Sequence, residues 1–135
     1  MKIITNLIIA SFISTLLFLT NSGAEEKIKI GLIIPLSGEN REIGESILNA
    51  TRLAINKIND SKILIIPRDT KSDPQVTYEV AKELYALGVK IIIGPIFNQN
   101  LKYLDELNKI IFLSLSNKIL DNPKNVISAG INAVS

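Results

Sequence analysis

The chain has 135 residues, 15 of them basic and 13 acidic, and contains neither cysteine nor histidine. Without cysteine there are no disulfides and no thiolate metal sites, and without histidine His-based triads and most zinc sites are excluded as well. The charge is near neutral with no block of one sign, so neither nucleic acid nor an anionic membrane surface is indicated as a partner.

At the N-terminus, Lys2 precedes an uncharged apolar run from Leu7 to Leu19, and Ser22-Gly23-Ala24 then leads to Glu25-Glu26. A basic start, a short apolar core and a small-x-small end describe a secretory signal peptide over residues 1–24, cleaved after Ala24. An uncleaved anchor is the alternative, although a spanning helix needs about 20 apolar residues. With no cysteine at the cleavage point, a bacterial lipoprotein anchor is ruled out, and a soluble periplasmic protein is the expectation. Removing Lys2 leaves 14 basic against 13 acidic residues. Residues 25–135 suffice for one small domain and not for two lobes.

The first strand is expected over Ile28 to Ile34, whose near-continuous apolar character suits a strand covered on both faces. Pro35-Leu36-Ser37-Gly38 ends it. A helix from about Glu42 to Asn59 follows, with Ile43, Ile47, Ala50, Ala54 and Ile58 at helical spacing and Leu48 and Ile55 widening the stripe. The second strand is Lys62 to Ile66. The next helix runs from Pro74 to Leu87, with Asp73 as N-cap, Pro74 at the first helical position and Gly88 past the end. Val76, Val80, Ala81, Leu84 and Leu87 are its expected buried face. Strand three is Val89 to Ile93, a short helix covers about Asn98 to Leu107, strand four is Ile110 to Leu115, and a last strand near Val126 to Ser128 follows the turn Asp121-Asn122-Pro123. Alternating strands and helices predict an α/β fold: a doubly wound parallel sheet with helices on both faces. It is expected to be incomplete, because no C-terminal helix closes the layer.

In such sheets ligands sit beyond the carboxyl ends of the strands. Ser37 and Gly38 follow strand one directly before a helix start, where backbone N–H groups favour a carboxylate or phosphate; a tight turn needing Gly38 for backbone freedom fits equally. Asn98 and Gln99 lie beyond strand three, where Asn98 also suits a helix N-cap. Ser116 and Asn117 end strand four as a candidate ligand hydroxyl and amide, or as a solvated turn. Alternation puts Ser114 and Ser116 on one side. Asp69 reads as a turn residue or as the salt-bridge partner of Arg68, and Phe97 and Tyr103 as packing. Gly31 to Gly38 spells neither a dinucleotide-binding glycine pattern nor a P-loop. With no nucleophile–base pair in view either, no enzyme, catalytic residue, metal or cofactor is expected.

Several segments resemble type I periplasmic binding proteins, in the branch that binds leucine, isoleucine and valine for import. They are Ile30-Gly31-Leu32-Ile33-Ile34-Pro35-Leu36-Ser37-Gly38, then Leu53-Ala54-Ile55-Asn56-Lys57-Ile58-Asn59, Asp69-Thr70 with Ser72-Asp73-Pro74, Gly88-Val89-Lys90-Ile91-Ile92-Ile93-Gly94-Pro95, and Leu113-Ser114-Leu115-Ser116-Asn117. The resemblance implies a two-lobed protein that closes on a small amino-acid-like ligand without catalysis and presents it to an inner-membrane ABC permease. Residues 25–135 would be the N-terminal part of lobe one. The family often carries a small hydroxyl residue shortly after its Gly-Pro loop, where this chain has Ile96-Phe97-Asn98-Gln99-Asn100; an amide can still donate to a carboxylate. The Ser-Leu-Ser-Asn ending also resembles a sister branch, the activators of penicillin-binding proteins, which implies a peptidoglycan synthase as the alternative partner.

Overall fold

The computed structural model describes residues 26–117 and 122–130. The signal-peptide expectation lies outside them, as does Asp121 of the expected turn. In chain order the elements are β1 (Ile28–Ile34), α1 (Arg41–Ile58), β2 (Ile63–Asp69), α2 (Pro74–Ala86), β3 (Ile91–Ile93), β4 (Ile111–Ser114) and β5 (Val126–Ser128). Two 3-10 turns, Asn98–Leu101 and Leu104–Glu106, stand between β3 and β4. The strands form one sheet in the order β2-β1-β3-β4-β5, with every pairing parallel. The direction of winding therefore reverses once, between β1 and β3.

Handedness then distributes the connections. A right-handed crossover from β1 outward to β2 puts α1 on one face, and one from β2 back across β1 to β3 puts α2 on the other. The connection β3 to β4 continues in the second direction, so it joins α2 on its face. Asn125, just before β5, is tied to that connection, its Nδ2 donating to the carbonyls of Leu104 at 2.8 Å and Leu107 at 3.0 Å.

The main core lies on the α2 face. Ile33, Ile92, Phe112 and Val126 from the sheet pack with Ala81 and Leu84 of α2 and with Leu101, Leu104 and Ile110 of the following segment. At the strand crossed by α2, Gly31 makes the close approach possible. A Cβ there would lie 2.8 Å from Leu84 Cδ1 and 2.9 Å from Ile92 Cγ1.

α2 begins and ends as its sequence requires. Asp73 caps it, accepting from the Val76 amide at 2.9 Å, with Pro74 in the first turn. At the other end Gly88 turns left-handed at φ 86°. Its N–H reaches the Tyr85 carbonyl and that of Val89 reaches Leu84, which satisfies two terminal carbonyls. Asp73→Ala should cost about 1 kcal/mol, read as a lower urea midpoint with an unchanged denaturant slope.

Four expectations need correction. The helix over Asn98 to Leu107 is two 3-10 turns, broken where Lys102 turns extended at ψ 135° and Tyr103 left-handed at φ 73°. β2 runs on to Asp69 through Pro67, which an edge strand tolerates because the missing N–H would face solvent. On α2, Leu87 is exposed and Val76 and Val80 are half-buried, while Thr77 is fully buried. Thr77 can sit inside because its hydroxyl donates to the Asp73 carbonyl at 2.7 Å and accepts from Asn100 Nδ2 at 2.7 Å. Finally, the apolar stripe of α1 is not a core: Gly44 is its only buried residue, and Ile43 and Ile58 are exposed.

Candidate functional site

The loops after β1, β2, β3 and β4 gather at the carboxyl edge of the sheet. Reversal of the winding between β1 and β3 opens a crevice there. Asp69, at the end of β2, ties the first two loops. Its Oδ1 accepts from the Leu36 amide at 2.8 Å and from the Lys71 amide at 2.9 Å, and its Oδ2 from the Ser37 hydroxyl at 2.6 Å. Burial alone would push this carboxyl up. The Ser37 and backbone hydrogen bonds, helped by the Lys71 charge, outweigh burial and hold it below the ordinary value of 3.8.

The turn that follows is strained. Lys71 and Ser72 are both left-handed, at φ 51° and 57°, a conformation that costs residues with a Cβ about 1–2 kcal/mol each. Hydrogen bonds hold it in place: Lys71 to Asp69, and the Asp73 amide to the Thr70 carbonyl at 2.9 Å. Ser72 in turn receives Asn40 Nδ2 on its hydroxyl at 3.0 Å and Gln99 Nε2 on its carbonyl at 3.4 Å. Loops one, two and three are thus laced through Asp69 and Ser72.

At the centre, the Gly94–Pro95 peptide is cis and Gly94 has φ 107°. Its amide donates to the Leu113 carbonyl at 2.8 Å, and the Pro95 carbonyl accepts from the Leu115 amide at 2.9 Å and from the buried Ser114 hydroxyl at 3.1 Å. Loops three and four are joined by these bonds.

Each expected site residue has a definite place. Ser37 faces Asp69, so its hydroxyl hydrogen is directed inward. Gly38 is exposed at φ 75° with open space beside it, which is the tight-turn role, and its carbonyl accepts from the Arg41 amide at 3.3 Å. Asn98 is exposed and does not cap: Phe97 holds the cap position of that turn, with no side-chain capping bond. Asn98 and Gln99 instead line an open groove of about 590 Å³ with Pro74, Tyr103 and Asn122. Ser116 is buried, as is Ser114, whose Oγ accepts from the Ser116 amide at 3.1 Å. A Cβ on Gly130 would come within 2.4 Å of the Ser116 carbonyl, so the chain after β5 presses against this loop. Asn117 is exposed. Ser37, Gly38 and Gln99 therefore belong to one laced set of loops, while Ser116 sits beneath the surface.

Arg68 does not pair with Asp69. It contacts Glu83 of α2 at 3.3 Å, because alternation turns the two side chains to opposite faces. Sequence reasoning missed Asp69, Asn40 and Ser72 as the groups that hold the loops. The dense run of turn formers from Asp69 to Asp73 was the available signal. Among the described residues no cluster of three or more acidic, His or Cys side chains could hold a metal ion. No helix among them is long and apolar enough to cross a membrane.

Comparison with known proteins agrees with this architecture. The family described as Periplasmic binding protein matches residues 27–130. An uncharacterised protein of Methanocaldococcus jannaschii is 30% identical over 109 residues, 72% of this chain and 26% of its own. The Leu/Ile/Val-binding protein homolog 1 of Brucella abortus is 37% identical over 71 residues, 48% of this chain and 19% of its own. Among solved structures, a solute-binding protein of an ABC transporter from Rhodopseudomonas palustris, in complex with 3,4-dihydroxybenzoic acid, superposes with a TM-score of 0.62 at 28% identity, covering 67% of this chain and 27% of that one. The C-domain of LpoA from Haemophilus influenzae, a regulator of PBP1A, shares the fold with a TM-score of 0.63 at 23% identity, covering 77% and 33%. The chain spans between a fifth and about a quarter of the length of the two curated relatives. A parallel sheet that reverses between β1 and β3, with its loops laced at the carboxyl edge, and a match along residues 27–130 together make this chain a member of the periplasmic binding protein family.

Proposed function

We propose that this chain is the opening part of lobe one of an exported solute-binding protein, one that delivers a small ligand to an ABC-type importer in the inner membrane and performs no chemistry on it. One observation carries the reading: the loops after β1, β2 and β3 are fastened to one another at the point where the winding reverses. Such lacing gives a rigid, polar rim suited to holding a ligand by direct contacts. The rim would offer the backbone of the Ser37–Gly38 turn and the side chains of Asn98 and Gln99, with Asn117 at its far side and Ser116 buried beneath it. Amides of this kind suit the carboxylate of an amino acid or of an aromatic acid. Residues 1–24 would direct export to the periplasm and be removed.

A ligand site needs walls on most sides, because pockets bury 70% or more of a small ligand's surface. The rim of a single lobe supplies about half of that. Isothermal titration of the 135-residue chain with amino acids and hydroxybenzoates should therefore show binding weaker than about 1 mM, and submicromolar binding would contradict the single-lobe reading. The full-length Methanocaldococcus jannaschii relative should bind one of these acids in the same assay. Silence across the panel, with capture of a peptidoglycan synthase instead, would replace the importer role with regulation of cell-wall synthesis.

A further inference from the structure

A serine hydroxyl has one hydrogen to give and two lone pairs with which to receive. At Ser37 that hydrogen goes to Asp69 Oδ2 at 2.6 Å. Asp69 has no proton to return. The Leu36 and Lys71 amides donate to its Oδ1 at 2.8 Å and 2.9 Å, and together with the Ser37 bond they keep the carboxyl ionised at neutral pH. Ser37 therefore has only lone pairs left. Its side chain is half-buried in the loop that follows β1, where the winding of the sheet reverses. A ligand group that meets Ser37 Oγ there must be a donor.

The surrounding charges favour the same sense. The Asp69 carboxylate stands directly behind the hydroxyl. Arg41, the nearest cation along the chain, is turned to Glu45 at 2.7 Å. The Lys71 charge acts on Asp69 less than any of the hydrogen bonds does. The backbone of the same turn has the opposite character: among the described residues no protein acceptor takes the Ser37 or the Gly38 amide. An acceptor and backbone donors on adjoining residues fit an acid that carries an N–H or O–H donor close to its carboxylate. A site built to receive such a donor rejects the analogue that lacks it.

We propose that Ser37 Oγ is the acceptor that selects a hydrogen-bond donor on the ligand, an ammonium or a hydroxyl, and that Asp69 is the positioning residue that keeps Ser37 an acceptor. The proposal rests on the reading of this edge as a ligand rim and gives that rim a polarity. Asp69→Asn exposes the role in a way that loss of a structural tie does not. The carboxamide oxygen would keep the two backbone amides, so the NH2 group would face Ser37. The hydroxyl would then accept that N–H, and its own hydrogen would be released toward the ligand.

The test is an NMR titration of the 135-residue chain with glycine, glycolate and acetate, each to about 100 mM so that binding near 1 mM or weaker is seen. Backbone amide shifts at Leu36, Ser37 and Gly38 report on loop one, and those at Asn98, Gln99 and Asn117 on the rest of the rim. In the parent, glycine, glycolate or both should bind at loop one at least about tenfold more tightly than acetate. Preference for glycine alone identifies the donor as an ammonium, and equal binding of glycolate shows that a hydroxyl suffices. Among variants whose spectra stay dispersed, Ser37→Ala should abolish the preference, Ser37→Thr should retain it, and Asp69→Asn should remove or reverse it. Equal binding of acetate and glycine by the parent would overturn the proposal, as would a preference that survives Ser37→Ala or Asp69→Asn unchanged. The contrast within the parent decides the matter even where a variant fails to fold. Shifts at Asn98, Gln99 and Asn117 with none at loop one would reject the polarity of Ser37 and leave the binding rim standing. No shift anywhere on the rim would reject both.

Discussion

Gly94→Ala should lower stability by about 3–5 kcal/mol, enough to leave much of the chain unfolded at 25 °C. Two effects add. The φ of 107° lies outside what a residue with a Cβ adopts without strain, and that part alone costs about 1–3 kcal/mol. In addition, a Cβ at Gly94 would stand 2.2 Å from the Ile33 carbonyl oxygen and 3.2 Å from its carbon. Those atoms belong to the backbone of the inner strand β1 and cannot swing aside as a side chain could. Gly38→Ala separates the two effects. Gly38 also has a positive φ, 75°, but a Cβ there would meet nothing within 4 Å, so the substitution should cost only about 1–2 kcal/mol. Urea unfolding of the two variants beside the parent measures the difference. Equal losses would mean that the approach of Gly94 to Ile33 carries no energetic weight.

Asp69→Ala is expected to cost about 3 kcal/mol, because it strands the Leu36 and Lys71 amides and the Ser37 hydroxyl together. The pH dependence follows from the depressed pKa. A carboxyl whose folded value lies below its unfolded value stabilises the fold above the unfolded value, and that contribution is lost as pH falls through the folded value. Asp69→Asn keeps the shape and removes the charge. The gap in unfolding free energy between parent and Asp69→Asn should be open at pH 7 and should close as pH drops below about 4. A gap independent of pH would show that the charge of Asp69 contributes nothing to the lacing.

The parts of the fold that could be read from sequence are those governed by neighbouring residues. β1 and β5 have the expected bounds, and α2 starts where the Asp73-Pro74 pair says it should. The loss of the Asn98–Leu107 helix is tied to a distant contact instead: Asn100 donates to the Thr77 hydroxyl on α2, and the backbone breaks at Lys102 and Tyr103. What stayed hidden depended on distance in sequence. The Ser37–Asp69 bond joins residues 32 positions apart, and no pattern within either loop announces it. The apolar stripe of α1 was legible as a stripe, but its exposure was not, because burial depends on a partner surface that periodicity does not describe. Its position after β4 makes Ser116 look like a loop hydroxyl. It is buried because the chain returning through Gly130 lies against it.

Pro67 has a consequence at the rim of the sheet. β2 is an edge strand, and edge strands invite other chains to add to them through their outward amides. The Thr70 amide points inward to the Ile34 carbonyl, so the amides of opposite parity, at residues 63, 65, 67 and 69, face out. Of these, Ile63 is engaged by the Asp60 carbonyl at 3.3 Å and Pro67 has no N–H at all. The two that remain, Ile65 and Asp69, stand about 13 Å apart, twice the repeat that a continuous ladder requires. The molecule is thus denied one route to polymerisation, strand-by-strand growth from β2.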